Sequence, residues 1–360
     1  MKVLVTGAAG FIGARLARAL VARGAVSDAQ GLPQAIDELV LADRQAPPEP
    51  ARSGAETLAG EAAPLAGGGP ALQRAGVPRI RCVSADVTDA RALAELLEGV
   101  DSVFPLAATL TVEAESDFAR GLDVNLRGLL SLLEACRTGG RRPRLVFASS
   151  IAAFGGPLPE PVDDRVQRTP QTSYGTHKAI AELLIDDYSR HGLLDGRSLR
   201  LPVVLVRPAS PTPSVSDAIA AIIRERLLGR DLICPLDPAS RIAAASVDRV
   251  VDALIAVHEL PAAAFGHTRA MNLPALSVTL AELSAAAERA AQRLGSRIGT
   301  IRWDPDPRFQ SALDQWPKRF VSEAATRAGI GADASADEIV EHFTRSALGR
   351  PASEHIQKET

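Results

Sequence analysis

An apolar run, KVLVT at residues 2–6, passes straight into GAAGFIG at residues 7–13, and no other stretch limits the fold as tightly. The β-branched run reads as a buried strand. Gly7, Gly10 and Gly13 follow as G-x-x-G-x-x-G, and FIGARLARALVAR at 11–23 has helical spacing. Glycines between a strand and a helix have distinct uses. Gly7 permits a sharp turn, Gly10 lets backbone approach a pyrophosphate, and Gly13 lets the helix pack closely on the strand. Phe11 and Ile12 open that helix, whose free N–H groups and positive dipole end suit phosphate. The competing reading is a tight turn without a ligand.

Strands and helices then alternate. ELVLAD (38–43), RIRCVSAD (79–86), DSVFPLAA (101–108), RLVFASS (144–150) and LRLPVVLVRP (199–208) read as strands. Helices are expected at 90–99, 115–138 and 172–190. That order implies βαβ crossovers and a Rossmann-type, doubly wound parallel sheet in an α/β protein. Residues 1–207 form the dinucleotide-binding domain. Residues 208–350 form a smaller, mostly helical substrate lobe with helices at 217–229, 247–259, 279–294 and 336–346, of which 247–259 returns to the first domain. Residues 44–79, rich in Pro, Ala and Gly, lack aromatics and bury little, so a partly mobile insertion is expected there. Residues 25–37 read as an extra loop, and 351–360 as a tail.

With 46% hydrophobic residues among 360, a sizeable core is available, and a net charge of −3 argues against general nucleic-acid binding. No apolar run reaches membrane-spanning length, and the N-terminus lacks a signal-peptide pattern. Cys82, Cys136 and Cys234 are odd in number and far apart, which fits a cytoplasmic protein with thiols in its core. The six histidines show no ligand spacing, so no metal site is expected.

Asp43 ends the second strand, where a carboxylate accepts the ribose hydroxyls of adenosine and repels a 2′-phosphate. NAD is therefore favoured over NADP, with Arg44 next door as a counter-argument. Asp86 is placed to bond adenine or, alternatively, to cap the next helix.

TSYGTHKAIAE at 172–182 sets Tyr174 and Lys178 one turn apart on a helix face. A surface pair is the plain reading. The other is an activated phenol. Moving a phenol from ~10 to neutrality requires about 4 kcal/mol. A unit charge at ~4 Å supplies about that at an effective dielectric of 20.

GAAGFIG, Asp86-Val87, LAA at 106–108, Asn125, SSIAAFG at 149–155 and YGTHK at 174–178 together resemble the extended short-chain dehydrogenase/reductases. A closer resemblance, to the D-erythronate dehydrogenases, runs through FASSIAAFGGPLPE (147–160), NLPALSVTLAE (272–282), RWDPDP (302–307) and DQWPKRF (314–320). It implies NAD-dependent oxidation of the C2 hydroxyl of a small sugar acid to the 2-oxo acid. Tyr174 is then the base, Ser150 orients the hydroxyl, and Lys178 supports the phenolate and grips the nicotinamide ribose. Ser149 competes for the serine role. The resemblance adds Val87, Leu106, Ala107, Ala108, Asn125, Ser149 and Pro208 as cofactor contacts. It adds Thr111, Ser210 and Arg241 as substrate contacts, with Arg224 as a further candidate. It also implies a homodimer through helices 115–138 and 172–190, using Leu126, Leu130 and Leu133 unless these face the sheet.

The chain departs from its relatives at Ser210 and Thr212, at Leu110–Glu113, at Pro105, and at Ile242-Ala243-Ala244-Ala245, where relatives are bulkier. Those small residues suggest a pocket shaped for a larger or less polar hydroxy acid. The alternatives are a nucleotide-sugar epimerase or dehydratase, and a non-catalytic NAD-sensing protein.

Overall fold

The computed structural model describes residues 1–28, 30–50, 77–206, 213–265 and 268–347. Its centre is a seven-stranded sheet. In chain order the strands are β1 (Lys2–Thr6), β2 (Glu38–Asp43), β3 (Arg79–Ser84), β4 (Ser102–Pro105), β5 (Arg144–Ser150), β6 (Asp195–Leu201) and β7 (Ala270–Asn272). Their spatial order is β7-β6-β5-β4-β1-β2-β3, and every pairing is parallel.

A parallel sheet is covered on both faces, so its strands must be apolar on both sides. Val3 and Val5 face one core, with Leu16 and Leu20 of helix α1 (Phe11–Arg23). Leu4 faces the other. There it meets Leu93 and Leu97 of α2 (Ala90–Leu97), Leu129 and Leu133 of α3 (Gly128–Gly139) and Ile185 of α4 (Ser173–Arg190). The order reverses between β1 and β4. A crevice therefore opens at the carboxyl ends of these two strands, the usual ligand position in such sheets.

Several elements differ from expectation. The strand read over 199–208 begins at Asp195 and breaks at Pro202. Val203–Leu205 then joins a second sheet, parallel to Arg241–Ser246, which pairs antiparallel with Leu276–Thr279. Proline offers no N–H to a ladder, so the chain changes sheets there. The helix expected over 115–138 is interrupted. Asp117 ends Thr111–Ser116 and caps Phe118–Leu122 through the Arg120 N–H. A π-helical turn, Asp123–Arg127, precedes α3. Residues 25–37 contain a small hairpin pairing Ala25–Ser27 with Pro33–Ala35.

In the lobe, α5 (Val215–Leu227), α7 (Leu280–Arg293) and α8 (Ala336–Ala347) enclose a core of Ile219, Ile223, Leu283, Ile339 and Phe343. Helix α6 (Val247–Glu259) instead packs Val250 and Leu254 onto the central sheet's core. Residues 51–76, which hold most of the expected insertion, and the 351–360 tail lie outside the described residues. Among the described residues, no helix is long and apolar enough to cross a membrane.

Candidate active site

The glycine loop is shaped by close approach. Gly7 has φ +68°, and a Cβ there would meet Ala107 N at 2.5 Å. A Cβ on Gly13 would meet Gly7 O at 2.2 Å. A side chain at Gly7 would push apart the two strand ends that frame the crevice, and one at Gly13 would push α1 off the loop. Gly10 caps α1 with no side-chain hydrogen bond, which leaves the first-turn N–H groups of Phe11 and Ile12 facing the loop. Asp43 accepts from Ala9 N at 3.0 Å and Arg44 N at 2.7 Å, so its carboxylate stands beside the loop. This cradle and carboxylate fit a dinucleotide phosphate and ribose. Asp86 accepts from the Thr88 N–H and hydroxyl, which hold its carboxyl below the usual range, while Asp89 caps α2.

Thr172 caps α4 through the Gly175 N–H, which fixes the start of the turn that carries Tyr174 and Lys178. A Cβ at Gly175 would meet Ala152 O at 2.0 Å, so this glycine seats α4 against the loop after β5. Tyr174 is half-buried and hydrogen-bonded to Ser150. The Ser149 hydroxyl instead donates to buried Glu182. Adjacent β-strand residues face opposite sides, and here that alternation sends Ser149 to the interior and Ser150 to Tyr174.

Lys178 is buried. Its ammonium donates to Ala148 O at 2.7 Å and lies 4.4 Å from the Phe147 ring centre and 5.5 Å from that of Tyr174. Burial pulls Lys178 down to about 8, opposed by the charge of Glu182. Burial pushes Tyr174 up to about 12, against a smaller downward pull from Ser150. From the sequence, Lys178 at ~4 Å nearly suffices to acidify the phenol, with the oxidised nicotinamide adding a second positive charge; in the free chain the ammonium lies 5.5 Å from the ring centre. The ammonium donates to a carbonyl, and burial is the larger influence on the phenol.

Asn125 sits in the π-helical turn. Its side chain accepts from Thr109 N at 2.9 Å and donates to Thr109 O at 3.1 Å, which pins the loop after β4. Its amide also lies 3.3 Å from His177 Nδ1. Burial holds that imidazole below its ordinary value. Pro105, Ala107, Ala108, Val87, Asn125, Phe147 and Lys178 line one cleft at this end of the sheet.

The expected substrate contacts are dispersed. Thr111 begins a short helix beside the cleft loop. Pro208, Ser210 and Thr212 fall outside the described residues. Arg241 is exposed and donates to Ser277 O at 3.1 Å. Arg224 is buried against Asp217 and Glu225. Ile242, Ala243, Ala244 and Ala245 are all essentially fully buried in apolar cores. Their small size is therefore core packing against α8, α6 and Phe320, and the enlarged pocket expected from them is not present at these positions. Among the described residues, Asp333, Glu338 and His342 approach within ligand spacing. Ser246, Arg249 and Asp248 already occupy these groups.

Glu182, Arg200, Arg168 and His177 went unremarked in the sequence. For Glu182 the signal was available: it lies four residues beyond Lys178 on the same helix face.

A parallel sheet reversing at a glycine-lined crevice, with a serine, tyrosine and lysine at its edge, is the architecture of the extended short-chain dehydrogenase/reductase class. The NAD dependent epimerase/dehydratase family matches residues 3–273, and the chain belongs to it. It is 38% identical to the D-erythronate dehydrogenase of Cupriavidus necator, over 96% of this chain and 99% of that one. It is 33% identical to the D-erythronate dehydrogenase of Haemophilus influenzae, over 95% and 98%. A crystal structure titled as a nucleoside-diphosphate-sugar epimerase from Agrobacterium tumefaciens matches 98% of this chain and 96% of that one, at 31% identity and a TM-score of 0.82.

Proposed function

We propose that this protein oxidises the C2 hydroxyl of a small, D-erythronate-like sugar acid to the 2-oxo acid, with NAD as acceptor. The observation that carries this reading is the meeting of Ser150, Tyr174 and Lys178 beside the glycine cradle, in a chain alignable end to end with D-erythronate dehydrogenases. Ser150 holds the substrate oxygen, and Tyr174 removes its proton as general base. Lys178 remains an ammonium beside them and stabilises the phenolate. When bound, the oxidised nicotinamide supplies the hydride acceptor and a further positive charge near Tyr174. Asp43, standing where a 2′-phosphate would be repelled, supports NAD over NADP.

The test is a screen of C4 to C6 aldonic acids for absorbance at the reduced-nicotinamide band, with NAD and NADP in parallel. Reduction of NAD by a four-carbon acid supports the reading, and silence across the series overturns it. A second reading, a nucleotide-sugar epimerase, draws on the likeness to the Agrobacterium nucleoside-diphosphate-sugar epimerase. Epimerised product from UDP-sugars, without net nicotinamide reduction, would favour it. We also infer a cytoplasmic homodimer through α3, α4 and the short helices preceding α3. Leu130, Ile180 and Leu183 are exposed there, whereas Leu133 faces the sheet. Sedimentation of Leu183→Glu as a monomer would support that contact.

A further inference from the structure

Glu182 is wholly buried, one turn beyond Lys178 on α4. Its carboxylate receives four donors. Arg200 of β6 donates through Nε at 3.0 Å to one oxygen and through Nη2 at 2.9 Å to the other. Arg168 donates at 2.5 Å, and Ser149 donates from β5. Burial alone would raise this carboxyl, but Arg200, Ser149 and Arg168 together hold it below its ordinary value, so it is an anion at neutral pH.

Among the described residues, Lys178 has no comparable set of partners. Its ammonium meets one carbonyl and two aromatic faces. The titratable groups around it on α4 are Tyr174, His177 and Glu182. Phe147 and Ala148 of β5, and the loop of Ala107 and Ala108, contribute none. Glu115 lies beyond His177, and Arg168 and Arg200 lie behind Glu182. An ammonium buried in this way loses hydration and drifts toward its neutral form unless an anion opposes the loss.

We propose that Glu182 is an electrostatic positioning residue, which keeps buried Lys178 cationic beside Tyr174 and whose strength is set by how many arginines screen it. The carboxylate does not touch the reacting atoms. It acts through Lys178, and its hydrogen bond to Ser149 fixes the strand that presents Ser150. The consequence for turnover rests on the function proposed above, but the charge state of Lys178 does not.

The test therefore reads Lys178 directly. The chain has four lysines, Lys2, Lys178, Lys318 and Lys358, so side-chain resonances of lysine-labelled protein are few. Loss of one signal in Lys178→Met assigns it. Glu182→Gln is expected to move the Lys178 titration about one unit lower, the scale of a buried charge a helical turn away. Arg168→Met, which strips a screening cation from Glu182, is expected to move it higher. Opposite shifts support the proposal. An unmoved Lys178 in folded Glu182→Gln, or shifts of the same sign, overturns it. If Glu182→Gln does not fold, Arg168→Met decides: a higher titration supports the proposal, and an unmoved or lower one overturns it. The measurement needs no substrate, so failure of the aldonic-acid screen leaves its outcome intact.

Discussion

Strands β5 and β6 carry an ionic cluster at each end, and the two are built to opposite ends. At the amino-terminal end Arg144 lies opposite Asp195 in the sheet register. Asp195 is gripped by Arg144, Arg197 and Arg269, which outweigh burial and keep it ionised. Arg197 also donates to the carbonyls of Val257 and His258, and Arg144 to those of His258 and Ser27. The Val257 and His258 carbonyls close the last turn of α6, where the helix dipole favours cations. Arg144 and Arg197 each have fixed acceptors on more than one element, and Arg269 has two on β6. At the carboxyl end Ser149 lies opposite Arg200, and the Glu182–Arg200–Arg168 group is equally closed. Lys178 and Tyr174 beside it are not. Both are displaced from their ordinary titration in the direction of their neutral forms. The base of the sheet uses buried charge as a clamp, and the top leaves charge incompletely satisfied at the residues proposed to act on substrate.

The largest expected break of this contrast is Tyr174→Phe. Loss of a general base typically removes 10²–10⁴-fold of rate. Turnover should fall by at least ~1,000-fold while dinucleotide binding, read by calorimetry, is retained. Arg197→Met should act in reverse. Taking one partner from a buried ion pair typically costs about 3–5 kcal/mol. Urea unfolding should register a loss of that order, with KM little changed. If Arg197→Met instead altered KM strongly, the division between clamp and catalyst would be wrong.

The pH dependence sharpens the same contrast. The phenol of the free chain sits at about 12, so it is protonated at neutrality and its base form grows as pH rises. Oxidation measured as kcat/KM for NAD, which reports the cofactor-free enzyme, should climb through the alkaline range. A plateau at neutral pH would contradict the burial of Tyr174. Lys178 has its own sign. Its folded value of about 8 lies below the unfolded 10.5, so the unfolded chain binds more protons between them. Its contribution to stability therefore rises with pH over that window. The smallest effect is expected for Asp43→Ala, a relaxed preference for NAD over NADP of about tenfold, since one carboxylate contact is worth about 1–2 kcal/mol. Competition kinetics with the two dinucleotides would check it.

Much of this was readable in advance. The extents of β1, β2, β5 and α6 follow from apolar runs bounded by glycine, aspartate or serine, and φ +68° at Gly7 is what its place in the turn requires. The break at Pro202 was harder to see, because LRLPVVLVRP is apolar throughout and periodicity does not tell one sheet from another. The π-helical turn at Asn125 escaped for a different reason. Its register is set by the pair of hydrogen bonds to Thr109, sixteen residues away.

What the sequence determined by itself is local: the glycine turn, the helix face shared by Tyr174 and Lys178, and the alternation that makes a parallel sheet. These depend on steric limits and periodicities acting within a few residues. The tertiary structure decided which serine meets the tyrosine, where Glu182 finds its arginines, and which way burial moves the phenol. Those outcomes depend on solvent exclusion and on charges brought together from β5, β6 and α4, and neither is a property of any one segment.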